Sequence, residues 1–432
     1  MDQNKEKLLS QKHTGFEDLS FYYNISSLPL SADFFFIKIH LSPVAETNEL
    51  SLLNYFFNSR SAYHRPFLCL NQQKMNSTKA KLILEDGTIL IGTSFGYQGG
   101  SAGELVFNTA MTGYPESLTD ASYRGQILVA TYPLIGNYGV PGKANKNDIF
   151  QFWESDRIQV SGLVVAEYSE CYSHWNAQMS LSQWLIEHKI PAISGIDTRA
   201  LTKKLREKGT TLAKIEFDKE IPFVDPNLED LVGQVSVKEK KIYGNGKYRI
   251  TLVDCGIKNN IIRCLISRDT IVTRVPYNYN FNNDDWDGLF LSNGPGNPKM
   301  NEATIKNLST ALEGNKPIMG ICLGNQLMAL AAGADTYKLP YGHRSHNQPV
   351  IMKGTDRCFI TSQNHGFAID TSTLPDDWEI LFENANDGTC EGIKHKTKPF
   401  FAAQFHPEAS GGPTDTEFLF DDFLNLVEKH QK

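Results

Sequence analysis

The sequence predicts an α/β protein in two parts, an N-terminal mixed α and β domain followed by a doubly wound sheet. Three observations lead to this prediction. The chain has 432 residues, which is more than one ordinary domain of roughly 150 residues. In the N-terminal part, segments of alternating apolar and polar residues are separated by residues typical of turns. In the C-terminal part, short apolar segments typical of strands alternate with segments that have a helical hydrophobic period. A hydrophobic content of 41% is enough to build two cores.

Composition and charge exclude several classes of protein. The net charge is −7, so the chain lacks the basic excess of a general nucleic-acid binder. No apolar run reaches the roughly 18 residues that span a bilayer, and we expect no membrane association. Seven cysteines, a small and odd number, argue against a disulfide scaffold. The acidic, arginine-free start does not resemble a targeting signal, so the expected location is the cytoplasm.

Residues 1–74 differ from the rest of the chain. They are rich in Asn and Ser and show no sustained hydrophobic period. We therefore expect an N-terminal extension that is disordered or dispensable for the chemistry.

The mixed α and β domain is predicted at residues 75–237. Its clearest signal is a β-hairpin, because alternating apolar residues flank Glu85-Asp86-Gly87. Asp197 is a candidate N-cap for the helix that follows it. The remaining periods predict strands at residues 105–107, 127–131 and 160–165 and helices at residues 181–188 and 198–207.

A polar linker rich in Lys and Gly is predicted at residues 238–248, and a second domain at residues 249–432. Strand and helix patterns alternate there, as in a parallel, doubly wound sheet. Strands are predicted at residues 250–253, 270–275, 288–292 and 317–320, and helices at residues 259–267, 301–313 and 323–332. Ligands of such sheets bind beyond the carboxyl ends of the strands, so functional residues are expected in the loops that follow these strands.

Cys322 lies between two glycines, Gly320 and Gly324, where an apolar strand turns into a helix. This arrangement is typical of a nucleophile elbow with cysteine at its tip. The glycines allow a strained turn without a Cβ clash, and the positive end of the helix favours thiolate over thiol. The N–H of Leu323 is then available to an oxyanion. A lone cysteine is usually a small buried apolar residue, but the glycine frame favours the nucleophile.

A cysteine nucleophile needs a base, and the base needs an orienting partner. His406 and Glu408 fit both roles, because residues i and i+2 of an extended chain point the same way. Glu408 would hold the imidazole tautomer, as the carboxylate does in a serine-protease triad. His365 is a rival base, ranked lower because no carboxylate stands at a fixed short spacing from it.

The loop at residues 291–298 follows another predicted strand and contains two glycines among prolines. Gly294 is therefore a candidate second oxyanion donor. The sequence contains no phosphate-binding loop, dinucleotide fingerprint or zinc-ligand spacing. We therefore expect no metal and no cofactor in this chain, and interpret Cys255 and Cys264 as core residues.

Together these motifs resemble a class I (triad-type) glutamine amidotransferase domain, with residues 320–324 as its nucleophile motif and residues 404–408 as its His-x-Glu motif. The first half resembles the small subunit of carbamoyl-phosphate synthetase. The strings that carry this resemblance, over about residues 79–427, are residues 84–88, 107–116, 118–123, 131–139 and 195–199. Residues 173–175 and 362–368 are most similar to the animal-type fused enzyme of pyrimidine synthesis.

The resemblance implies a glutaminase in which Cys322 forms a glutamyl thioester, His406 moves the proton and Glu408 orients His406. The positions that it implies for binding L-glutamine are Ser122, Gly294, Gly296, Leu323, Gln326, Asn364, Gly366 and Phe367. Because Ser122 belongs to the first domain, the site is expected at the interface between the domains. The released ammonia would pass through an internal channel to a large synthetase subunit or domain. That partner would use ATP, Mg and bicarbonate to make carbamoyl phosphate for pyrimidine or arginine synthesis.

Two other functions stay open. A catalytically silent, amidotransferase-like regulatory subunit would keep the fold without the chemistry, although the intact Cys322, His406 and Glu408 argue against it. A cysteine hydrolase of another kind could use the same elbow, but the synthetase-like first half argues against that. Two positions depart from the family pattern: Asn325 stands where histidine is usual, and Ser345 where glycine or another small residue is usual. We expect these departures to affect the rate of the reaction and its coupling to the synthetase, and not the type of reaction.

Overall fold

A computed structural model describes residues 78–146 and 148–431. The extension predicted at residues 1–74 lies outside the described residues. The described part contains a closed β-barrel and a large mixed sheet with helices, which confirms the predicted α/β class.

Seven strands close into a barrel in the first domain. They are β1 (Lys79–Leu84), β2 (Ile89–Ser94), β3 (Ser101–Asn108), β4 (Gln126–Ala130), β5 (Gly162–Val165), β6 (Ala192–Ser194) and β7 (Thr211–Glu216). Their order around the barrel is β1-β7-β3-β4-β5-β6-β2. Neighbours from β3 to β6 are parallel and the other pairs are antiparallel. The helices of this domain are α1 (Tyr114–Thr119), α2 (Leu181–Glu187), α3 (Thr198–Lys208) and α4 (Leu231–Val235).

Two local predictions for this domain are confirmed. β1 and β2 form the predicted hairpin, and Gly87 in its turn has φ +84°, a conformation that glycine adopts without strain. The Asp86 carboxylate accepts a hydrogen bond from the N–H of Thr88 at 3.1 Å, which closes the turn. Asp197 is the N-cap of α3, because its side chain accepts from the N–H of Ala200 at 2.9 Å.

Ten strands form the sheet of the second domain. They are β8 (Lys241–Tyr243), β9 (Tyr248–Asp254), β10 (Thr270–Pro276), β11 (Gly288–Leu291), β12 (Ile318–Ile321), β13 (Asp335–Met352), β14 (Cys358–Asp370), β15 (Trp378–Asn384), β16 (Cys390–His395) and β17 (Phe400–Ala403). The helices are α5 (Asn259–Ile266), α6 (Glu302–Glu313), α7 (Leu323–Ala332) and α8 (Phe418–Gln431). The strand order is β8-β10-β9-β11-β12-β17-β16-β15-β13-β14.

This sheet is parallel only in part. Strands β10, β9, β11, β12 and β17 are parallel neighbours, as predicted. Strands β16, β15, β13 and β14 continue the sheet with antiparallel pairing, which the sequence analysis did not anticipate. The long strands β13 and β14 mix buried polar with apolar residues, and two register shifts interrupt their pairing. Their hydrophobic period is therefore too irregular to identify a strand from sequence.

The stretch predicted as a linker, residues 238–248, contains β8, which pairs antiparallel with β10 at the edge of the sheet. Lys241 and Ile242 on this strand are exposed. An edge strand is held mainly by backbone hydrogen bonds on one side, so its composition resembles a linker although it belongs to the sheet.

Apolar residues fill the barrel and pack against both faces of the second sheet. Cys264 and Cys255 lie in the two clusters of the second domain, as predicted. Among the described residues, no helix combines the length and the apolar character that a membrane span requires.

Candidate active site

Cys322 stands at a sharp turn between β12 and α7. Its backbone has φ +53° and ψ −102°, a strained conformation for a residue with a side chain. The backbone N–H of Cys322 donates to the carbonyl of Ala403 at 2.8 Å, which secures the turn to β17. A Cβ on Gly324 would lie 2.4 Å from the carbonyl oxygen of Leu291, so only glycine fits at that position. These features match the predicted nucleophile elbow.

His406 reaches the elbow because of strand topology. β12 and β17 are parallel neighbours, so the residues that follow them emerge at the same edge of the sheet. The backbone N–H of His406 donates to the carbonyl of Ser362 at 2.9 Å, which fixes the loop. Nδ1 of His406 lies 2.7 Å from Oε1 of Glu408. The structure therefore puts His406 and Glu408 in contact and places both at the edge of the sheet where Cys322 lies.

A buried lysine joins this arrangement. Nζ of Lys258 lies 3.1 Å from Oε1 of Glu408 and also donates to the carbonyl of Ala409 at 3.1 Å. Burial raises the pKa of Glu408, but the charges of Lys258 and His406 and the hydrogen bond from His406 lower it to about 2 overall. Glu408 is therefore a carboxylate at neutral pH, as an orienting group should be.

The electrostatics favour a protonated His406. Burial lowers the pKa of His406, but the Glu408 charge and hydrogen bonds with Cys322 and Glu408 raise it to about 10 despite the nearby Lys258. Nε2 of His406 is buried and has no partner of full hydrogen-bond geometry among the described residues. Hydrogen bonds of catalytic groups are often long until substrate binds. Reactive cysteines are found beside positively charged groups of this kind.

His365, the rival base, is engaged elsewhere. Its Nδ1 lies 2.9 Å from the carbonyl oxygen of Phe367, and its Nε2 lies 3.3 Å from Oε1 of Gln363. Burial lowers the pKa of His365 well below its usual value. The geometry thus favours His406 over His365 as the partner of Cys322.

His343, His365 and Glu391 form a buried cluster whose ligating atoms lie within 4.8 Å of one another, the spacing of a metal site. However, Nδ1 of His343 is 3.1 Å from Glu391, and its Nε2 is 2.8 Å from Asp387. Burial lowers the pKa of His343, but both carboxylates raise it, and the net shift is upward. Both ring nitrogens of His343 thus lie within hydrogen-bond distance of carboxyl oxygens, so we interpret the cluster as a charge network next to His365.

Two backbone amides are placed as candidate oxyanion donors. Leu323 is the first residue of α7, so its N–H has no carbonyl partner within the helix. Gly294 follows β11, and a Cβ there would lie 2.0 Å from the carbonyl oxygen of Cys255. Both residues therefore stand at the carboxyl edge of the sheet, Leu323 in the elbow itself and Gly294 after the neighbouring strand β11.

One cavity beside Cys322 collects most of the predicted glutamine-binding positions. Its lining includes Ser122, Gly294, Gly296, Gln326, Asn364, Gly366 and Phe367. Nε2 of Gln326 donates to the carbonyl of Phe367 at 2.9 Å, and the Asn364 carbonyl lies 3.7 Å from the sulfur of Cys322.

The barrel contributes one side of this cavity, at the predicted interface. Ser122 accepts a hydrogen bond from Nδ2 of Asn293 at 3.0 Å. Asp120 accepts from the N–H of Ser122 at 2.9 Å and from Nδ2 of Asn364 at 3.0 Å. Asp120 therefore positions residues of both domains.

Lys258 and Asp120 were not among the site residues predicted from the sequence. Lys258 follows β9, a parallel strand, and its place beyond the carboxyl end of that strand was the available signal. Of the two positions that depart from the family pattern, Asn325 donates to Gln404 at 3.1 Å, and Ser345 accepts from Gln348 at 3.0 Å. Neither contacts the triad through these bonds.

Comparison with known families matches both halves of the chain. Residues 82–215 match the family Carbamoyl-phosphate synthase small chain, CPSase domain. Residues 251–426 match the family Glutamine amidotransferase class-I.

Three relatives illustrate the range of similar proteins. The Multifunctional protein CAD of Squalus acanthias is 52% identical over 356 residues, which cover 81% of this chain and 16% of that protein. The Carbamoyl phosphate synthase arginine-specific small chain of Chaetomium globosum is 49% identical over 366 residues, covering 82% of this chain and 79% of that one. The mitochondrial Carbamoyl-phosphate synthase [ammonia] of Homo sapiens is 49% identical over 373 residues, which cover 85% of this chain and 25% of that protein. The chain thus spans a quarter or less of the two long relatives and most of the fungal small chain.

Proposed function

Because this chain belongs to the family of carbamoyl-phosphate synthase small chains, we propose that it hydrolyses L-glutamine and supplies ammonia to a synthetase. The observation that supports this most directly is the geometry of Cys322, His406 and Glu408. A cysteine on a strained turn faces an imidazole whose other nitrogen is held by a carboxylate at 2.7 Å. This arrangement suits acyl transfer through a thioester.

In the first half of the proposed reaction, the thiolate of Cys322 attacks the side-chain amide carbon of glutamine. The carbonyl oxygen becomes an oxyanion, which the N–H groups of Leu323 and Gly294 stabilise. His406, protonated, gives its proton to the amide nitrogen as the C–N bond breaks. Ammonia leaves, and a glutamyl thioester remains on Cys322.

In the second half, neutral His406 takes a proton from water as the water oxygen attacks the thioester carbon. The C–S bond breaks, glutamate leaves, and Cys322 and His406 return to the thiolate–imidazolium pair. Glu408 stabilises the imidazolium in both halves, and Lys258 keeps Glu408 ionised. Because Glu408 has a pKa of about 2, it does not take the proton from His406.

We further propose that ammonia passes to a synthetase subunit or domain that uses ATP, Mg and bicarbonate to form carbamoyl phosphate. The relatives support such a partner, since some are small chains and others are long proteins of which this chain spans only a part. The product would serve pyrimidine synthesis, arginine synthesis or both. The cytoplasmic location stays a prediction.

The alternative of a silent regulatory subunit is not favoured. Some relatives are named for ammonia, so family membership by itself does not decide whether glutamine is used. The decision depends on the active-site residues. Here the nucleophile, the base and the orienting carboxylate are all present, and the base and the carboxylate are in contact.

Replacing the nucleophile tests the proposal. Cys322→Ser should lower glutamine hydrolysis by more than about 10³-fold, because a serine hydroxyl is not ionised beside His406. Ammonia-driven synthesis by the complex with its synthetase partner should stay near the wild-type rate. Glutamate release and carbamoyl phosphate formation are measured in parallel.

Cys358→Ser is the matched control, since Cys358 is an exposed free cysteine and its replacement should leave both rates unchanged. Glutamine hydrolysis that survives in Cys322→Ser would show that the nucleophile is another residue. Wild-type protein without glutaminase activity in the assembled complex would favour the regulatory alternative.

A further inference from the structure

Glu391 is a buried carboxyl group that the proposed chemistry does not use. It lies on β16 and is fully buried, and its two oxygens have different surroundings. Oε1 lies 3.1 Å from Nδ1 of His343 and accepts from Nδ2 of Asn384 at 3.1 Å and from the hydroxyl of Thr389 at 3.4 Å. Oε2 is buried as well, and it has no hydrogen-bond partner among the described residues. One oxygen of Glu391 therefore lacks the partner that burial requires.

This oxygen faces the ring of His365, whose Nε2 lies 3.8 Å away. The other ring nitrogen, Nδ1, lies 2.9 Å from the carbonyl oxygen of Phe367. A carbonyl oxygen can only accept a hydrogen bond, so Nδ1 carries a proton. Burial and the nearby charges of His343 and Arg344 lower the pKa of His365 well below its usual value. The ring is therefore neutral, and Nε2 has a lone pair.

Nε2 of His365 and Oε2 of Glu391 are thus two acceptors with no hydrogen between them. A third acceptor, Oε1 of Gln363, lies 3.3 Å from Nε2, and the amide nitrogen of Gln363 donates to the hydroxyl of Thr361 at 3.2 Å. Buried acceptors without a donor are costly. One proton on Oε2 removes this cost, because it makes Glu391 a donor to Nε2 of His365.

A proton on Glu391 fits the charges around it. Nε2 of His343 lies 2.8 Å from Oδ2 of Asp387, so a protonated His343 keeps an anionic partner, and Oε1 of Glu391 still accepts from its Nδ1. Burial and the charge of Asp387 raise the pKa of Glu391, and the net shift is upward although His343 opposes it. The cluster then holds one positive and one negative charge, a balance that a low-dielectric interior favours.

The tautomer of His365 matters to the cavity beside Cys322. The Phe367 carbonyl that Nδ1 holds also accepts from Nε2 of Gln326 at 2.9 Å, and both Phe367 and Gln326 line this cavity. If the proton moved to Nε2 of His365, that nitrogen would donate to Gln363 and Nδ1 would release Phe367. A donor at Nε2 excludes this tautomer, since the hydrogen bond of one ring nitrogen sets the state of the other.

We propose that Glu391 is a positioning residue that keeps a proton on Oε2, donates it in a hydrogen bond to Nε2 of His365, and so fixes the tautomer that holds the Phe367 carbonyl at the cavity. A small rotation about the terminal torsion of Glu391, which is soft for a carboxyl group, brings the two atoms from 3.8 Å into bonding range. The consequence for glutamine binding rests on the proposed glutaminase function.

Two replacements separate a neutral donor from a negative charge. Glu391→Gln keeps an oxygen for His343 and supplies an N–H for His365, and Glu391→Leu supplies neither. On the full chain, Glu391→Gln should keep KM for glutamine within about threefold of the wild type, and Glu391→Leu should raise it by about 10- to 30-fold, the effect of one lost buried hydrogen bond. In both variants kcat should change less than about threefold, because Cys322 and His406 are untouched. Ammonia release measures both constants.

Nitrogen NMR of isotope-labelled histidine reads the tautomer directly and does not depend on turnover. The signals of His365, assigned by their loss in His365→Gln, should show the proton on Nδ1 in the wild type and in Glu391→Gln. In Glu391→Leu the form with the proton on Nε2 should appear. Glu379→Gln and Glu379→Leu are matched controls on the neighbouring strand β15, where Glu379 pairs with Lys394 at the surface at 3.0 Å. They should change neither KM nor the tautomer.

A rise of KM in Glu391→Gln as large as in Glu391→Leu would overturn the proposal, since Glu391 would then act through a negative charge. An unchanged tautomer in Glu391→Leu would also overturn it and would assign the donor to the amide of Gln363. So would a wild-type His365 with its proton on Nε2, or with both nitrogens protonated. If the wild type releases no ammonia from glutamine, the glutaminase function fails, and the NMR result still supports or overturns the assignment of Glu391.

Discussion

Single residues in this site act through charges that are held away from water. Lys258, Glu408 and His406 form a row of alternating charge, all buried. In a low-dielectric interior each charge strongly biases its neighbour, so Lys258 keeps Glu408 ionised and Glu408 keeps His406 protonated. Lys258 therefore influences the protonation of His406 through Glu408, which lies between them.

The charges of Lys258 and His406 also act on a nearby histidine, His346, and so affect how the stability of the protein depends on pH. Burial and the charges of Lys258 and His406 lower the pKa of His346 to about 4. An unfolded histidine titrates near 6.5, so as pH falls the unfolded chain takes up this proton first. The stability that neutral His346 contributes is fully present above pH 6.5 and is lost as pH falls towards 4.

We expect the wild type to lose about 2 kcal/mol more than His346→Gln in free energy of unfolding between pH 7.5 and pH 5. Urea unfolding at both pH values measures it. His430→Gln, at an exposed position of α8, is the control and should keep the wild-type loss. Equal losses in the wild type and His346→Gln would show that His346 is not the group responsible.

At the scale of secondary-structure elements, the site depends on how closely the turn between β12 and α7 is packed. A Cβ on Gly320 would lie 2.6 Å from the carbonyl oxygen of Gly324, and one on Gly324 would lie 2.4 Å from that of Leu291. Real side chains do not approach backbone oxygens so closely, so β11, β12 and α7 could not all keep their places. This packing holds Cys322 in its strained conformation at the tip of the turn.

Gly324→Ala should therefore lower stability by about 1–3 kcal/mol, as overpacking does, and should reduce glutaminase kcat by a factor of about 10² or more because the sulfur is misplaced. Urea unfolding and glutamate release measure the two effects. Gly314→Ala is the control, since its nearest contact would be 3.3 Å and its φ is −72°. An active and stable Gly324→Ala variant would contradict the close packing of the turn.

At the scale of the whole molecule, the barrel and the mixed sheet complete one site. Asp120 of the barrel domain bonds to Asn364 at 3.0 Å, and Glu154 holds α5 of the second domain. Glu154 is fully buried and lies 2.9 Å from Nη2 of Arg263, while it accepts from the N–H of Asn260 at 3.0 Å. The proposed catalysis at this site therefore requires the two domains to stay docked.

Glu154→Gln should destabilise this docking by about 2–4 kcal/mol, because it leaves Arg263 without its anionic partner in a partly buried position. We expect unfolding to become less cooperative, with the barrel and the sheet melting in separate steps seen by calorimetry, and KM for glutamine to rise. Glu170→Gln, at an exposed position, should behave as the wild type. A single transition at the wild-type temperature in Glu154→Gln would exclude this role for the pair.

Local chemistry explains which predictions succeeded. The hairpin at Asp86-Gly87, the cap at Asp197 and the helix that begins after Cys322 depend on residues close in sequence. The antiparallel strands β13 and β14 were missed because their pairing is long-range and their pattern is irregular. The contact of Lys258 with Glu408 was missed for a related reason, since a lysine in a sequence gives no sign of being buried.

The sequence by itself determined the nucleophile elbow, the His-x-Glu pair and the two-domain α/β organisation, because these depend on short-range backbone geometry and hydrophobic period. Only the tertiary structure decided that β12 and β17 are parallel neighbours, that Lys258 contacts the carboxylate of Glu408, and that Asp120 of the barrel domain bonds to Asn364. Those features depend on which distant segments share a dry, low-dielectric space, and burial of that kind arises only when the chain has folded.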